Sequence, residues 1–434
     1  MRDLIITLIV FGAIPFALMR PHVGVLLFSW ISYMNPHRLS YGFAYDFPFA
    51  AISAGAVFIG LLLSKEPKRI PLSPVTIVWM MFVFWTCVTT FFALVPDDAV
   101  FEWKRSMKIQ LMVLVTLVVM NNKERIIQLI WVIVGSFAFF GVKGGVFTLA
   151  TGGSYRVWGP EGSFVEGNNE LALALIMVMP LMRFLQLQVE NKWLKRGLLV
   201  GMVLCSFAIL SSYSRGAFLA GAVMVGFLWW KGDKKIITGV IMVVFLSIAL
   251  AFMPEKWFER METIQSYEED GSAMGRVNAW WYAFNLANDR PIVGGGFQAF
   301  DKELFYKYAP VPEDFHDAHS IYFEVLAEQG YVGLALFLIM WTLTFRTGSW
   351  IINKTKKHED LLWAKNLAAM LQVSCVGYAV GGAFLGLAYF DLPYHLMAML
   401  VLVRLEVEKE LKAKQNSAHN STVASGMSRS MDQV

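Results

Sequence analysis

Apolar runs long enough to cross a lipid bilayer recur along this chain, and they constrain its fold more than any other feature. The hydrocarbon core of a bilayer is about 30 Å thick, so a helix needs about 20 apolar residues to cross it. The sequence therefore predicts an all-α polytopic membrane protein with about twelve transmembrane helices. We expect the spans near residues 3–19, 48–64, 74–96, 106–120, 126–149, 170–189, 197–213, 216–230, 236–253, 320–345, 362–387 and 391–407.

The low content of charged residues excludes a soluble enzyme. Of the 434 residues, 16% are charged and 56% are hydrophobic, whereas about 25% of a soluble domain is charged. No basic stripe with interleaved aromatic residues occurs outside the apolar runs, so no nucleic-acid partner is expected. Cys87, Cys205 and Cys375 all lie within apolar runs, which is typical of packing rather than of a disulfide or metal framework.

Two segments near the N-terminus need a separate interpretation. The run 4–18 is followed by no small-residue cleavage site, so it is expected to be a retained first helix rather than a signal peptide. Residues 23–34 are apolar but few, and Asn35-Pro36 closes the run. This pattern predicts a re-entrant or interfacial segment. A thirteenth span here would move the N-terminus to the other side and change nothing else.

Clusters of lysine and arginine predict the orientation, because short cytoplasmic loops carry an excess of these residues. With twelve spans, all the clusters and both termini fall on one side, which is then cytoplasmic. The clusters are Lys65/Lys68/Arg69, Lys123/Arg125, Lys192/Lys195/Arg196, Lys231/Lys234/Lys235, Arg346/Lys354/Lys356/Lys357 and Lys409/Lys412/Lys414.

This threading divides the chain into four parts. Residues 1–253 carry the first nine spans, and residues 320–407 carry the last three. Between them, residues 254–319 form a partly helical periplasmic segment with twelve acidic and six basic residues. The tail 408–434 is rich in Ser, Asn, Lys and Met, so it is expected to be disordered and cytoplasmic.

Two arginines on the outer side stand out against this acidic background. Arg215 lies between two apolar helices, within the hydroxyl-rich stretch 211–216, and Arg276 precedes Trp280 and the glycine-rich turn 291–296. One interpretation is that these arginines snorkel to lipid headgroups. The hydroxyls and glycine around Arg215 favour an anion site instead. A guanidinium beside tryptophans also suits bidentate binding of a phosphate at headgroup level.

A pair of histidines, His316 and His319, precedes the tenth span. A third ligand at convincing spacing is missing, so no metal is expected. A neutral imidazole at the membrane edge can take a proton from a hydroxyl near neutral pH, provided that a partner orients its other nitrogen. Asp317, Glu324 and Asp391 are the candidate partners, and the sequence leaves the choice among them open. A histidine that merely caps a helix is the alternative.

Several other polar residues on the outer side are secondary candidates. Lys104 and Arg105 could make a second anion contact or could anchor lipid headgroups. Glu328 is expected to form a structural hydrogen bond within the bundle. Trp158 and the stretch 166–170 could shape a pocket. The glycine triplet 294–296 lacks the context of a nucleotide loop, so a turn of special backbone geometry is expected there.

At these residues the sequence resembles the O-antigen ligase and polymerase superfamily of bacterial membrane glycosyltransferases. The resemblance rests on Ser214-Arg215-Gly216, on Arg276 with Trp280 and the turn 291–296, and on His319 with Glu328-Gln329-Gly330 and Val332-Gly333. The early stretch Asn35-Pro36-His37-Arg38-Leu39 and residues 162–170 are similar to a branch described as O-glycosylation ligases.

The resemblance implies a GT-C-like fold in the bacterial inner membrane, with membrane lipids around it and an active site facing the periplasm. It implies transfer of a glycan from undecaprenyl diphosphate to an acceptor hydroxyl, with inversion and without a metal or other cofactor. For an O-antigen ligase in lipopolysaccharide biosynthesis the acceptor is the lipid A-core oligosaccharide. His319 would be the catalytic base, and Arg215 and Arg276 would bind the diphosphate. Ser320 replaces a common asparagine, and His316 has no counterpart.

Two other functions stay open at this point. An O-antigen polymerase or a protein O-oligosaccharyltransferase would use the same chemistry on another acceptor. A lipid or solute transporter would place charged groups along the middle of several spans. Here most of the informative charges lie at the outer edge, and Arg183 and Glu328 are among the few candidates deeper in the bundle.

Overall fold

The computed structural model describes residues 1–232, 234–263 and 271–431, with side chains up to residue 417. Helices make up the described secondary structure, and they follow the predicted spans closely. The α-helices are α1 (Arg2–Met19), α2 (Pro21–Met34), α3 (Phe49–Leu63), α4 (Pro74–Phe91), α5 (Pro96–Val119), α6 (Lys123–Ala150), α7 (Asn168–Gln188), α8 (Lys192–Leu210), α9 (Arg215–Lys231), α10 (Lys235–Ala251), α11 (Glu255–Glu262), α12 (Gly271–Asp289), α13 (Lys302–Tyr308), α14 (Ile321–Thr355), α15 (Leu362–Gly381) and α16 (Asp391–Met431).

The structure is that of a polytopic helical membrane protein. By length and composition, seven of the described helices can cross a membrane, and α10 with α11, bent by 110°, would make an eighth. This number is below the predicted twelve, partly because α2, α3 and α9 have only 14, 15 and 17 residues. The apolar helix α7 is the most enclosed of the seven, since it packs against α6, α8, α9 and α15.

The two ends of the bundle differ in charge. The basic clusters of the sequence lie at one end, called here the basic end. There Arg125 forms a bidentate ion pair with Glu66, with both N–O distances 2.7 Å, and Lys414 contacts Asp360 at 2.6 Å. The opposite end carries the long connection after α6, the turn between α8 and α9, and α11 to α13. We call it the site end.

Helix α2 differs from the predicted re-entrant or interfacial segment. Its first turn lies at the basic end, where His22 is within electrostatic range of Glu66. Its last turn lies toward the site end, where Ser32 Oγ donates to Asp391 Oδ2 at 2.7 Å. A helix of 14 residues is about 21 Å long, and α2 uses this length to run through the bundle between α1, α3 and α6. The neighbours of Pro21–Met34 therefore make it a helix of the bundle rather than a surface segment.

The position of α2 also determines at which end of the bundle the N-terminus lies. Arg2 Nη1 donates to Leu39 O at 3.0 Å, and Asp3 Oδ1 accepts from Ala44 N at 3.1 Å, so the start of α1 lies beside the segment that follows α2. The other end of α1 packs against Gly60 near the end of α3. The N-terminus therefore lies at the site end, opposite the end predicted with twelve spans.

Helix α14 is broken at Gly330, whose φ of 66° and ψ of −173° are not helical. Before the break, residues 321–329 form a short helix that stays at the site end, because Tyr322 contacts the end of α15 and Gly330 packs on the turn 291–296. After it, residues 331–355 run to the basic end. The predicted span 320–345 is thus displaced, and Glu328 belongs to the site-end helix.

The extramembrane segment 254–319 contains α11, α12 and α13, in agreement with a partly helical segment, although its residues 264–270 lie outside the described part. The predicted disordered tail has a different form: α16 continues as one helix to Met431. Arg404–Glu408 and Lys409–Glu406 pairs on its surface stabilise a helix, and Lys414 joins it to Asp360. Residues 432–434 lie outside the described part.

Candidate functional site at the site end

The turn that carries Arg215 is held by hydrogen bonds to the neighbouring loop. Ser211 Oγ donates to Tyr155 O at 2.6 Å, and the Tyr213 hydroxyl donates to Gly153 O at 2.7 Å. Ser214 is the N-cap of α9, because its Oγ accepts from Ala217 N. Arg215 is thereby fixed in the first turn of α9, and its Nη1 donates to Thr263 Oγ1 at 2.8 Å.

Arg276 lies in the first part of α12, next to a glycine that allows a close contact. A Cβ atom on Gly275 would lie 2.5 Å from the His316 ring, so only glycine lets this imidazole pack against the helix. His316 Nδ1 also lies 3.1 Å from Asp314 Oδ1. Asn278 then joins α12 to the same segment, since its Nδ2 donates to Val311 O at 2.7 Å. His316 therefore holds the segment before His319 against the helix that carries Arg276.

Trp280 fixes the other side of the same segment. Its Nε1 donates to Ala318 O at 2.8 Å. Its ring also stacks on Phe323, with centroids 5.0 Å apart and an interplanar angle of 9°. Ala318 directly precedes His319, and Phe323 lies one turn into the following helix, so Trp280 positions the histidine between them.

His319 has a backbone conformation that side chains rarely adopt, with φ at 41°. Such strain costs of the order of 1–3 kcal/mol and concentrates at functional sites. The side chain is partly buried, and burial lowers the pKa of His319 below its usual range. The nearby charges of Arg276 and His316 lower the pKa further, whereas Asp317 raises it. The imidazole is thus kept neutral, as a base requires.

The glycine-rich turn 291–296 has the special geometry predicted for it and no resemblance to a nucleotide loop. Gly294 and Gly296 have φ values of 62° and 80°. Gly295 N donates to Ala327 O at 2.8 Å and Gly296 N donates to Glu328 O at 2.9 Å, so the turn satisfies carbonyls at the end of the helix 321–329. The turn therefore supports the short helix that follows His319.

A cavity of about 490 Å³ opens beside these residues, and carboxyl groups dominate its polar lining. Glu328 and Glu324 come from the short helix 321–329. The remaining walls come from α5, the loop 158–167, the first turn of α7, Gln298 after the glycine-rich turn, and the loop before α16. The lining residues are Glu102, Arg105, Trp158, Ser163, Phe164, Glu166, Gly167, Glu170, Gln298, Glu324, Glu328, Gly386, Leu387, Tyr389 and Phe390.

Arg276 acts electrostatically on both the cavity and the histidine. Its charge acts on Glu170, which lines the cavity, and also on His319. Asp317, beside His319, likewise acts on Glu324, another lining residue. The cavity and the imidazole are therefore within electrostatic range of the same two charged residues, and Arg276 and His319 themselves lie outside the cavity lining.

The secondary candidates Lys104, Arg105 and Asp391 occupy three different environments in the structure. Arg105 lines the cavity, with its guanidinium 3.8 Å from the centroid of the Phe164 ring and 3.5 Å from Glu102. Lys104 points to the exposed surface and does not line the cavity. Asp391 is buried, where it accepts from Ser32 and is within range of Arg105.

The structure thus brings Arg276 and His319 together and leaves Arg215 at a neighbouring turn. Of the three proposed partners of His319, Asp317 is the one whose charge reaches the imidazole. Sequence reasoning named Glu324, Glu328 and the stretch 166–170 separately and missed their shared cavity. The spacing of Glu324 and Glu328, four residues apart on one helix, is the signal that could have revealed a common face.

An apolar groove of about 350 Å³ begins at Ile321, two residues after His319. It descends between α15 and residues 338–346 of α14 toward the basic end. Its walls include Tyr322, Leu338, Trp341, Phe345 and Tyr378. A groove of this shape can hold a hydrocarbon chain whose polar end reaches the site.

Together the fold and the site define a multi-pass membrane protein with a polar, partly buried site at one end of an apolar bundle. Residues 200–338 match the protein family described as O-antigen ligase, and this match contains Arg215, Arg276 and His319. Residues 1–190 match a family of unknown function, DUF5935. The match, which covers residues 200–338 and not the rest of the chain, supports membership of the O-antigen ligase superfamily and indicates a membrane glycosyltransferase-like enzyme of the ligase and polymerase type. A search of curated proteins gave no match.

Proposed function

We propose that the protein transfers a glycan from undecaprenyl diphosphate to a hydroxyl of the lipid A-core oligosaccharide, on the periplasmic side of the bacterial inner membrane. The proposal makes it an O-antigen ligase of lipopolysaccharide biosynthesis. The observation that carries it is the packing of α12, the helix of Arg276, against the segment of His319. This packing lies within electrostatic range of a sugar-sized cavity, and an apolar groove opens two residues beyond the histidine.

The proposed chemistry assigns one role to the group at the bond that forms and another to the groups at the bond that breaks. His319 accepts the proton of the acceptor hydroxyl as its oxygen bonds to the anomeric carbon. The bond from that carbon to the diphosphate oxygen breaks on the opposite face, so the configuration inverts. Arg276 and Arg215 bind the diphosphate and stabilise the negative charge that it gains on leaving.

The groove at Ile321 suits the lipid part of this donor. A polyprenyl chain in the groove would keep its diphosphate at the site end, near Arg276 and His319, because the groove begins there. Burial of its apolar surface would contribute about 25 cal/mol per Å². Lys104, Arg105 and Asp391 are then secondary residues, of which Arg105 lines the cavity.

A His319→Ala variant in cells that lack their own ligase tests the proposal. We expect it to insert and to leave undecaprenyl-linked glycan accumulated, while the unmodified chain restores capped lipopolysaccharide. His358→Ala, at the basic end, is the matched control and should restore capping fully. Capped lipopolysaccharide at the normal level with His319→Ala would contradict the assignment of the base.

The same experiment identifies the acceptor. Glycan found on lipid A-core supports a ligase. Glycan chains lengthened on the lipid carrier would indicate a polymerase, and glycan on protein hydroxyls would indicate a protein O-oligosaccharyltransferase. We also propose that arginines take the place of a metal ion, so purified protein should keep its activity after chelation. Loss of activity that added Mg²⁺ or Zn²⁺ restores would overturn this part.

A further inference from the structure

The cavity contains a carboxyl oxygen that lacks a partner. Glu328 is only 4% exposed. Its Oε1 accepts from Gln298 N at 2.9 Å, whereas its Oε2 forms no hydrogen bond with any residue in the described part of the chain. The Tyr389 hydroxyl, which accepts from Gln329 Nε2 at 3.0 Å, is near enough to interact with the Glu328 carboxyl. Its geometry does not make it a hydrogen-bond partner of Oε2. Leaving a buried polar oxygen unpaired costs about 1–3 kcal/mol. Oε2 is therefore a candidate acceptor for a hydrogen bond from a ligand.

The other walls of the cavity provide two kinds of contact. Carboxyl groups of Glu102, Glu166, Glu170 and Glu324 are acceptors for hydroxyl or ammonium groups. Trp158, which is 59% exposed at the rim, and the buried ring of Phe390 offer flat apolar surfaces. Sugar rings present hydroxyls at their edges and C–H groups on their faces, so both kinds of contact match a saccharide.

The charges of the cavity favour some saccharides over others. Five glutamates line it, and Arg105 is the one basic residue among the lining residues of the described chain. That guanidinium is already occupied by Phe164 and Glu102. A phosphorylated or carboxylated sugar could bind only beside carboxyl groups that stay protonated, whereas a neutral or amino sugar would find acceptors in either protonation state.

We propose that this cavity is the saccharide subsite of the enzyme, that it binds a neutral or amino sugar through Glu328 Oε2, and that it rejects anionic sugars. This inference rests on the proposed function, since the sugar is either the first part of the donor glycan or the acceptor core. Arg276, whose charge acts on Glu170 of the cavity, separates the two requirements, because the anionic diphosphate binds to the cation and the sugar binds to the carboxyl groups.

Equilibrium binding of free saccharides to the purified full-length protein tests the subsite without turnover. The probes are the glycan released from the lipid-linked donor, the dephosphorylated core oligosaccharide, and the same core with its phosphates. We expect one of the first two to bind and the phosphorylated core to bind more weakly than the dephosphorylated one. Which of the two binds decides whether the subsite takes the donor or the acceptor.

Glu328→Gln is the central variant, because its amide oxygen can still accept from Gln298 N while Oε2 is replaced. Losing a hydrogen bond to this group should weaken saccharide binding roughly tenfold or more, without lowering the Tm of the protein. Glu303→Gln, an exposed glutamate of the same extramembrane segment, is the matched control and should bind normally. Trp158→Ala changes only an exposed rim residue and should weaken binding roughly threefold to tenfold.

The outcomes separate this inference from the proposed function. Equal saccharide affinity in the unmodified chain and in Glu328→Gln, or no binding of any probe, would overturn the subsite even if glycan transfer occurs. Binding that depends on Glu328, together with undiminished transfer by His319→Ala, would overturn the proposed mechanism and leave the subsite standing.

Discussion

At the scale of single residues, the pKa of His319 gives the first prediction. In the proposed mechanism the neutral imidazole is the active form, so activity should fall as the pH drops through the lowered pKa of His319. Arg276 contributes to this lowering. In Arg276→Gln the pKa should therefore rise, and the acid limb of kcat/KM against pH should move to higher pH.

Asp317, whose effect on the pKa of His319 is opposite to that of Arg276, provides an internal control. Asp317 raises the pKa of His319, so Asp317→Asn should move the acid limb to lower pH. The measurement is the position of the limb in each variant, regardless of its height. Limbs that coincide in both variants and the unmodified chain would show that another group controls the pH dependence.

Replacing the arginines by lysine should damage transfer although the charge is kept. A guanidinium binds a phosphate through two parallel N–H groups, and an ammonium group cannot reproduce this geometry. Arg276→Lys and Arg215→Lys should each lower kcat/KM roughly tenfold or more, which is about 1.4 kcal/mol. Lys104→Arg, at an exposed position outside the cavity, should have no effect. Normal rates in both lysine variants would mean that these arginines only anchor lipid headgroups.

At the scale of elements, the contact between α12 and the segment before α14 predicts a rescue. In Gly275→Ala the new methyl group would collide with the His316 ring at 2.5 Å, so the segment that carries His319 should shift away from Arg276. We expect transfer to fall in this variant. In Gly275→Ala/His316→Ala the obstructing ring is removed, and much of the activity should return.

With His316→Ala and the unmodified chain, these two variants complete a double-mutant cycle. Its measurement is kcat/KM, with Tm measured alongside to exclude unfolding. If the double variant is as inactive as Gly275→Ala, or if Gly275→Ala is fully active, the packing of His316 does not position the site.

The break in α14 predicts a stability effect. Gly330 has a positive φ, and a Cβ atom there would lie 2.5 Å from Ile292 O. Gly330→Ala should therefore lower the free energy of unfolding by about 1–3 kcal/mol, seen as a lower Tm in detergent. Gly135→Ala in α6 is the control, because its Cβ would meet nothing within 4 Å. A Tm unchanged by Gly330→Ala would show that the helix can run straight through this position.

The same break shows what the sequence could and could not predict. The apolar runs placed most helices correctly because a span needs a certain length of apolar residues, whatever its neighbours. The division of α14 at Gly330 depends on contacts with the turn 291–296, which is distant in sequence. Hydropathy therefore predicted one long span there. The sequence also did not reveal that Glu324, Glu328 and Glu170 share a cavity.

At the scale of the whole molecule, the path of α2 also depends on contacts that its own sequence does not reveal. Its 14 residues are too few for an average span, so the sequence favoured a re-entrant segment. In the structure the residues that flank α2 lengthen its path across the bundle. Arg20-His22 lie near the basic end, and Asn35-Leu39 continue toward the site end. The stretches around Arg215, Arg276 and His319 could be recognised because each is local in sequence, whereas the path of α2 depends on Asp391 and Glu66, which are distant from it in the chain.

The path of α2 predicts the orientation of the N-terminus, which the membrane itself can test. With α1, α2 and α3 each running between the ends, the N-terminus should lie on the same side as the site, and the Lys356-Lys357 loop on the other. The first follows from the contacts of Arg2 and Asp3 with residues 39–44, and the second from the course of residues 331–355 to the basic end. Under the proposed orientation, that side is the periplasm.

Single cysteines in a background without Cys87, Cys205 and Cys375 provide the measurement. A cysteine placed before Met1, and one at the exposed Tyr41, should react with a membrane-impermeant maleimide in intact spheroplasts. Lys356→Cys should react only after the membrane is permeabilised, and this difference controls for leakage. An N-terminal cysteine that stays protected while Tyr41→Cys reacts would mean that α1 begins at the cytoplasmic end. Since Arg2 and Asp3 bind the segment next to Tyr41, that result is incompatible with the packing of α1 against residues 39–44.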